Sequence, residues 1–75
     1  MPHIIVKLYP GRSEGVKTAL AEAISAAVVA HAKVGEHTVS VAIEEVAPGD
    51  WADVYATEIE PQLDRLYKKP AYTPT

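Results

Sequence analysis

The feature that most constrains this chain is a long, Ala-rich helical segment set between two short stretches of alternating apolar residues. Residues 3–9, HIIVKLY, set Ile4, Val6 and Leu8 against Ile5, Lys7 and Tyr9, the two-residue period of a strand. Apolar groups on both sides at its start predict cover on both faces. Pro10-Gly11 then stops it with turn chemistry. Ser13 is a candidate N-cap, and Glu14 suits the positive helix end. From there to about Ala32, Val16, Leu20, Ala23, Ile24, Ala27, Val28 and His31 recur at three- and four-residue steps. That spacing predicts an amphipathic helix of about five turns, at about 3.6 residues per turn, with Gly35 as its stop signal. Residues 38–46, TVSVAIEEV, alternate again, with Val39, Val41 and Ile43 on one side and Ser40, Ala42 and Glu44 on the other. A strand–helix–strand succession with so long a crossover pairs its strands in parallel, with right-handed connection.

After Pro48-Gly49, Asp50 can cap a further segment in which Trp51, Val54, Tyr55, Ile59, Leu63, Leu66 and Tyr67 fall at roughly helical spacing. Pro61 interrupts it, so a break is expected over 58–60, with Pro61 in the first turn of the second piece. The ending KKPAYTPT holds two prolines and reads as extended chain on the surface or on a partner subunit. The fold class is therefore α/β: a β-α-β unit followed by short helices.

Length makes this arrangement incomplete. Seventy-five residues suffice for one domain, spanning 1–75, with a modest core. The chain has no Cys to staple it, and its three His residues do not fall at i, i+4, so no built-in metal site is expected. One helix over a two-stranded sheet leaves much apolar surface open. Two units joined edge to edge would make a four-stranded sheet across a dimer, so a homo-oligomer is expected from the pattern itself.

Several function classes fall away. A net charge of −3 disfavours a nucleic-acid surface. No apolar run approaches the roughly 18 residues of a membrane span, and the first residues lack a basic-then-apolar leader pattern. The expectation is a cytoplasmic protein without nucleic-acid or membrane partners.

Four local features, in this order, resemble the 4-oxalocrotonate tautomerase family. Met1-Pro2 leads directly into the apolar strand, Gly11-Arg12-Ser13 opens the long helix, Ser40 to Val46 occupies the place of the second strand, and Pro48-Gly49-Asp50-Trp51 gives a turn followed by an aromatic residue. The stretches EIEPQL at 58–63 and KKPAY at 68–72 look like a longer-tailed bacterial branch of that family. The resemblance spans nearly the whole chain. It implies a β-α-β fold assembled as dimers or hexamers, with the longer tail favouring the dimer.

The resemblance also implies a chemistry. Pro2 is small enough for removal of Met1 to be expected, which leaves a secondary amine as general base. Such an amine must be unprotonated near neutral pH, and desolvation or a neighbouring cation favours that form. Arg12 falls where the family has a substrate-binding arginine, whose guanidinium holds a carboxylate bidentately. A positively charged side chain at a helix start is mildly unfavourable, which itself argues for a role. Trp51 matches the pocket aromatic and could pack on a conjugated substrate. Ser40 departs from the pattern, since the dienoate isomerases of the family carry a second arginine there. That favours a monoacid enol, such as a phenylenolpyruvate-like compound, over a dicarboxylate. The reaction implied is conversion of a 2-hydroxy-2-enoate to a 2-oxo acid with no cofactor and no metal. His3, His31 and His37 read as ordinary residues, with His3 on the strand face opposite Pro2, and Tyr55, Tyr67 and Tyr72 as packing or interface groups. Two other readings stay open: a proline-dependent dehalogenase or hydratase of the same superfamily, and a non-catalytic oligomeric binding module if Met1 is retained.

Overall fold

A computed structural model describes residues 1–74. The chain comprises two compact units, Met1–Glu45 and the segment from Val46 onward.

The first unit is the β-α-β motif that the pattern predicts. Strand β1 covers His3–Leu8, helix α1 covers Glu14–Ala32 and strand β2 covers Ser40–Glu45. The strands pair in parallel with the register His3↔Ser40, Ile4↔Val41, Val6↔Ile43 and Leu8↔Glu45. This register aligns the two alternations. Ile4, Val6 and Leu8 share one face of the sheet with Val41 and Ile43, and all five are half-buried. Helix α1 lies on that side, where Lys17 reaches Glu45 across 3.6 Å. His3, Ile5 and Lys7 share the other face with Ser40, Ala42 and Glu44. There Ile5 keeps 52% of its surface exposed, so within the first unit the cover expected on that face is incomplete.

Helix α1 starts as expected. The Ser13 hydroxyl accepts from the Val16 amide at 3.2 Å, and Gly11 takes φ 127°, a conformation that side-chain-bearing residues rarely adopt. Two expectations are corrected. The left-handed residue that ends the helix is Lys33 (φ 56°), whose amide bonds to the Val29 carbonyl at 3.1 Å. Gly35, at φ −73°, instead precedes a short 3₁₀ turn, Glu36–Thr38, which delays β2 to Ser40. The half-buried row of α1 is also turned about the axis. It holds Lys17, Leu20, Ala21, Ile24, Ser25, Val28 and Val29, while Val16, Ala23, Ala27 and His31 are exposed. Apolar side chains on more than one flank make the inward face ambiguous to periodicity alone.

Lys17 is tied into this face by Glu14 at 2.6 Å as well as by Glu45. The hydrogen bond that Lys17 donates to the Glu14 carboxylate, the largest effect, holds the ammonium above its usual range against desolvation, with smaller support from the charges of Glu14 and Glu45.

The second unit is a run of short helical turns. Pro48–Asp50 forms a 3₁₀ turn and Trp51–Val54 one α-helical turn, α2. Asp50 sits at its N-terminal boundary but its side chain makes no cap bond, a correction to the expected capping. The expected break is present and has a defined form. Tyr55–Ile59 is a wide turn in which the Glu60 amide bonds to the Tyr55 carbonyl five residues back. Pro61 has no amide to offer Thr57, and its ring crowds that carbonyl, which favours widening just ahead of it. Gln62 leaves helical geometry (φ −121°), and its side-chain amide donates to the Glu58 carbonyl at 2.7 Å. A 3₁₀ stretch, Glu60–Arg65, follows.

Tyr55, 6% exposed, is the one hydrophobic side chain among the described residues that counts as buried. Its ring meets that of Tyr72 at 5.9 Å, tilted by 56°. The ending is thus packed back onto its own unit through Tyr72. Tyr67, by contrast, is fully exposed.

Candidate active site

Pro2 stands at the head of the sheet. Its carbonyl accepts the Ser40 amide at 3.1 Å, so the parallel ladder fixes the residue one step ahead of β1. Pro2 itself is half-buried, whereas Met1 is 98% exposed and projects from the unit. The ring allows no rotation about N–Cα, so the nitrogen's direction follows from the first rung of the sheet. Without Met1, that nitrogen is a secondary amine whose lone pair needs little further orientation.

Ser40 occupies the rung beside it. Its backbone holds Pro2, and its hydroxyl oxygen lies 2.6 Å from His3 Nδ1. Sequence reasoning left His3 as an ordinary residue. The signal was present, since aligning the apolar alternations of the two strands puts residue 3 opposite residue 40.

Arg12 lies elsewhere in the unit. Its Nη1 donates to the Tyr9 carbonyl at 3.1 Å, which holds the guanidinium at the far end of β1. A strand rises about 3.3 Å per residue, so the steps from Pro2 to Tyr9 span roughly 20 Å. The fold therefore brings Pro2 and Ser40 together within one chain and keeps Arg12 apart from both. An Arg at this helix start is not merely solvated; it ties off the last carbonyl before the Pro10-Gly11 turn.

Trp51 belongs to the second unit. It is half-buried, and its indole N–H donates to the Tyr72 hydroxyl at 2.7 Å. The pairing of the tail tyrosine with the candidate pocket aromatic is a second feature that sequence reasoning missed. Nothing in local spacing signals a contact across 21 positions.

Among the described residues, no group of three or more His, Cys, Asp or Glu side chains is placed to hold a metal ion. No helix among them is long and apolar enough to cross a membrane.

Comparison with known proteins agrees with this geometry. A family model described as tautomerase enzyme matches residues 2–53, beginning at Pro2. This chain belongs to the tautomerase family. Two relatives, each called tautomerase PptA, match over nearly their full length. That from Cronobacter sakazakii is 46% identical over 74 residues, covering 96% of this chain and 97% of its own. That from Shigella sonnei is 36% identical over 74 residues, covering 97% and 99%. A solved structure, TomN, a 4-oxalocrotonate tautomerase homologue of the tomaymycin biosynthetic pathway, superposes with a TM-score of 0.64 at 32% identity, covering 77% of this chain and all of TomN. The β-α-β unit with parallel strands is thus the fold of this family, and the relatives imply an isomerase-type enzyme.

Proposed function

We propose that this protein is a cofactor-independent keto–enol tautomerase that converts a 2-hydroxy-2-enoate to the 2-oxo acid through the amine of Pro2. The observation that carries the proposal is the fixation of Pro2 by the first rung of the sheet, in a chain of this family. With Met1 removed, the prolyl nitrogen accepts the enol hydroxyl proton. The O–H electron pair becomes the carbonyl π bond. The former C=C pair takes a proton at C3, returned by the same nitrogen. No electrons leave the system and no other reactant enters. Arg12 holds the carboxylate, Ser40 lies near the 2-oxygen, and Trp51 offers a flat wall to the conjugated chain. One arginine suits a monoacid such as a phenylenolpyruvate-like enol.

The site needs a second copy of the chain. Pro2 and Arg12 stand roughly 20 Å apart at opposite ends of β1, far beyond hydrogen-bond contact. Two chains joined edge to edge in antiparallel orientation bring the Pro2 end of one to the Arg12 end of the other. In that dimer the sheet edges pair, while the open sheet face with Ile5, and Val16 at 51% exposure on α1, leave apolar surface for further chains to cover. We assign the protein as a homo-oligomer with a four-stranded sheet across the dimer.

The test is ketonisation of phenylenolpyruvate followed by loss of enol absorbance. Protein with Pro2 at its N-terminus, verified by intact mass, is expected to be active. Pro2→Ala should lose at least about 100-fold in kcat, the usual scale for a general base, with an unchanged circular dichroism spectrum. Equal rates in the two proteins would refute the assignment.

A further inference from the structure

Resting on the reading just given, we infer that Tyr72 sets the substrate preference of the site by occupying the indole N–H of Trp51. The tyrosine acts through the tryptophan, whose ring then turns apolar surface without a donor towards the substrate. The indole N–H donates to the Tyr72 hydroxyl oxygen at 2.7 Å, an ordinary length for such a bond. The Tyr72 ring is itself seated. It lies 5.9 Å from the ring of Tyr55, tilted by 56°, and Tyr55 is the buried residue of this unit. Pro70, two positions ahead of Tyr72 and half-buried, narrows the conformations open to the returning tail. A buried ring thus holds the tyrosine, and the tyrosine holds the indole.

Trp51 needs such a hold. It opens α2, a single turn of four residues whose boundary residue Asp50 makes no side-chain cap. So short a helix fixes little beyond its own backbone. An indole has one polar hydrogen and no acceptor. With that hydrogen spent on Tyr72, what remains of the ring is apolar surface. A substrate with an apolar far end packs against it without breaking a hydrogen bond. A substrate with a second carboxylate finds no donor there and gives up water around its charge. Removing the tyrosine oxygen reverses the balance. An indole N–H covered by an apolar group is then left unsatisfied, whereas a carboxylate takes it as a charge-assisted partner. Tyr72 thereby selects the 2-hydroxy-2-enoate whose far end is apolar.

The test compares kcat/KM for phenylenolpyruvate, whose far end is a phenyl ring, with that for 2-hydroxymuconate, whose far end is a second carboxylate. The unsubstituted protein should prefer phenylenolpyruvate. Tyr72→Phe keeps the ring that meets Tyr55 and removes the hydroxyl. It should lower kcat/KM for phenylenolpyruvate about tenfold, mostly through KM, the scale of one unsatisfied donor. The value for 2-hydroxymuconate should stay level or rise. Trp51→Phe keeps a flat ring without an N–H and should retain the preference. Adding Tyr72→Phe to it should leave the ratio of the two substrates unchanged, because the tyrosine acts through the indole. Equal losses on both substrates in Tyr72→Phe would make Tyr72 a packing residue and overturn the inference. So would a larger loss on 2-hydroxymuconate, or the same change of ratio with Trp51→Phe already in place. An unaltered ratio in a protein that Pro2→Ala silences sinks the role of Tyr72 alone. An inactive unsubstituted protein, or an active Pro2→Ala, sinks the proline reading and this inference with it.

Discussion

Mixing two inactive variants should restore activity, and the amount restored is fixed by geometry. Pro2 is bound to the first rung of the sheet and Arg12 to the carbonyl of Tyr9 at the other end of β1. At about 3.3 Å per residue, this separation is roughly 20 Å, so under the proposed mechanism a proline and an arginine that serve one substrate would come from different chains. Pro2→Ala and Arg12→Ala should each be nearly inactive alone. Unfolded together in equal amounts and refolded, they assort at random. A site is intact only if its proline comes from the arginine variant and its arginine from the proline variant. Each condition holds with a probability of about one half, so about a quarter of the sites should be intact by random pairing. The same fraction holds for a dimer or for a hexamer in which each site spans two chains. The assay is the initial rate of phenylenolpyruvate ketonisation per protomer, before and after co-refolding. Recovery of about a quarter of the unsubstituted rate is expected. No recovery, with mixed oligomers demonstrated by mass spectrometry, would refute the split site and require Arg12 to leave the Tyr9 carbonyl and cross its own sheet.

Two further predictions concern the fold. Replacing Tyr72 with Phe removes the acceptor of the Trp51 indole N–H while keeping the ring contact with Tyr55. It should cost about 1 kcal/mol, the usual net value of one hydrogen bond, and change the tryptophan emission; an unaltered spectrum and midpoint in urea would show that the bond does not form in solution. Lys17, raised by its hydrogen bond with Glu14 and by the charges of Glu14 and Glu45, contributes stability that is present below its unfolded-state pKa and is lost as pH rises through the higher folded value. The alkaline decline in stability should therefore be shallower in Lys17→Met, measured by urea unfolding across that range, and an identical slope would remove Lys17 as its source.

What was legible in the sequence was what local chemistry decides. The strand alternations, the Ser13 cap and the break ahead of Pro61 each depend on residues within a few positions of one another. The misplaced features depend on something farther away. Lys33 takes the left-handed conformation although Gly35 stands two positions on, because the chain turns immediately into the Glu36–Thr38 turn. The inward row of α1 was misread because Val16, Ala23 and Ala27 are apolar yet exposed in the single chain. The His3–Ser40 contact follows from strand register, and the Trp51–Tyr72 bond from the return of the tail, neither of which spacing encodes.

The exposed apolar residues and the divided site then have one remedy, which makes a residue far from the chemistry a sharp test. Ile5 lies on the open sheet face, half-exposed in the single chain, and takes no part in the backbone bond between Ser40 and Pro2. If it only decorates a free surface, Ile5→Asp should cost about 1 kcal/mol, the span of strand propensities, and leave the rate per protomer unchanged. If another chain covers that face, a buried and unpaired carboxylate opposes association. Activity should then fall with dilution, in step with sedimentation showing single chains, and recover at high protein concentration because the β-α-β unit stays intact. A dilution-independent rate in Ile5→Asp equal to that of the unsubstituted protein would place the interface elsewhere. The joining of each Pro2 to the Arg12 of another chain would then rest on the sheet edges alone.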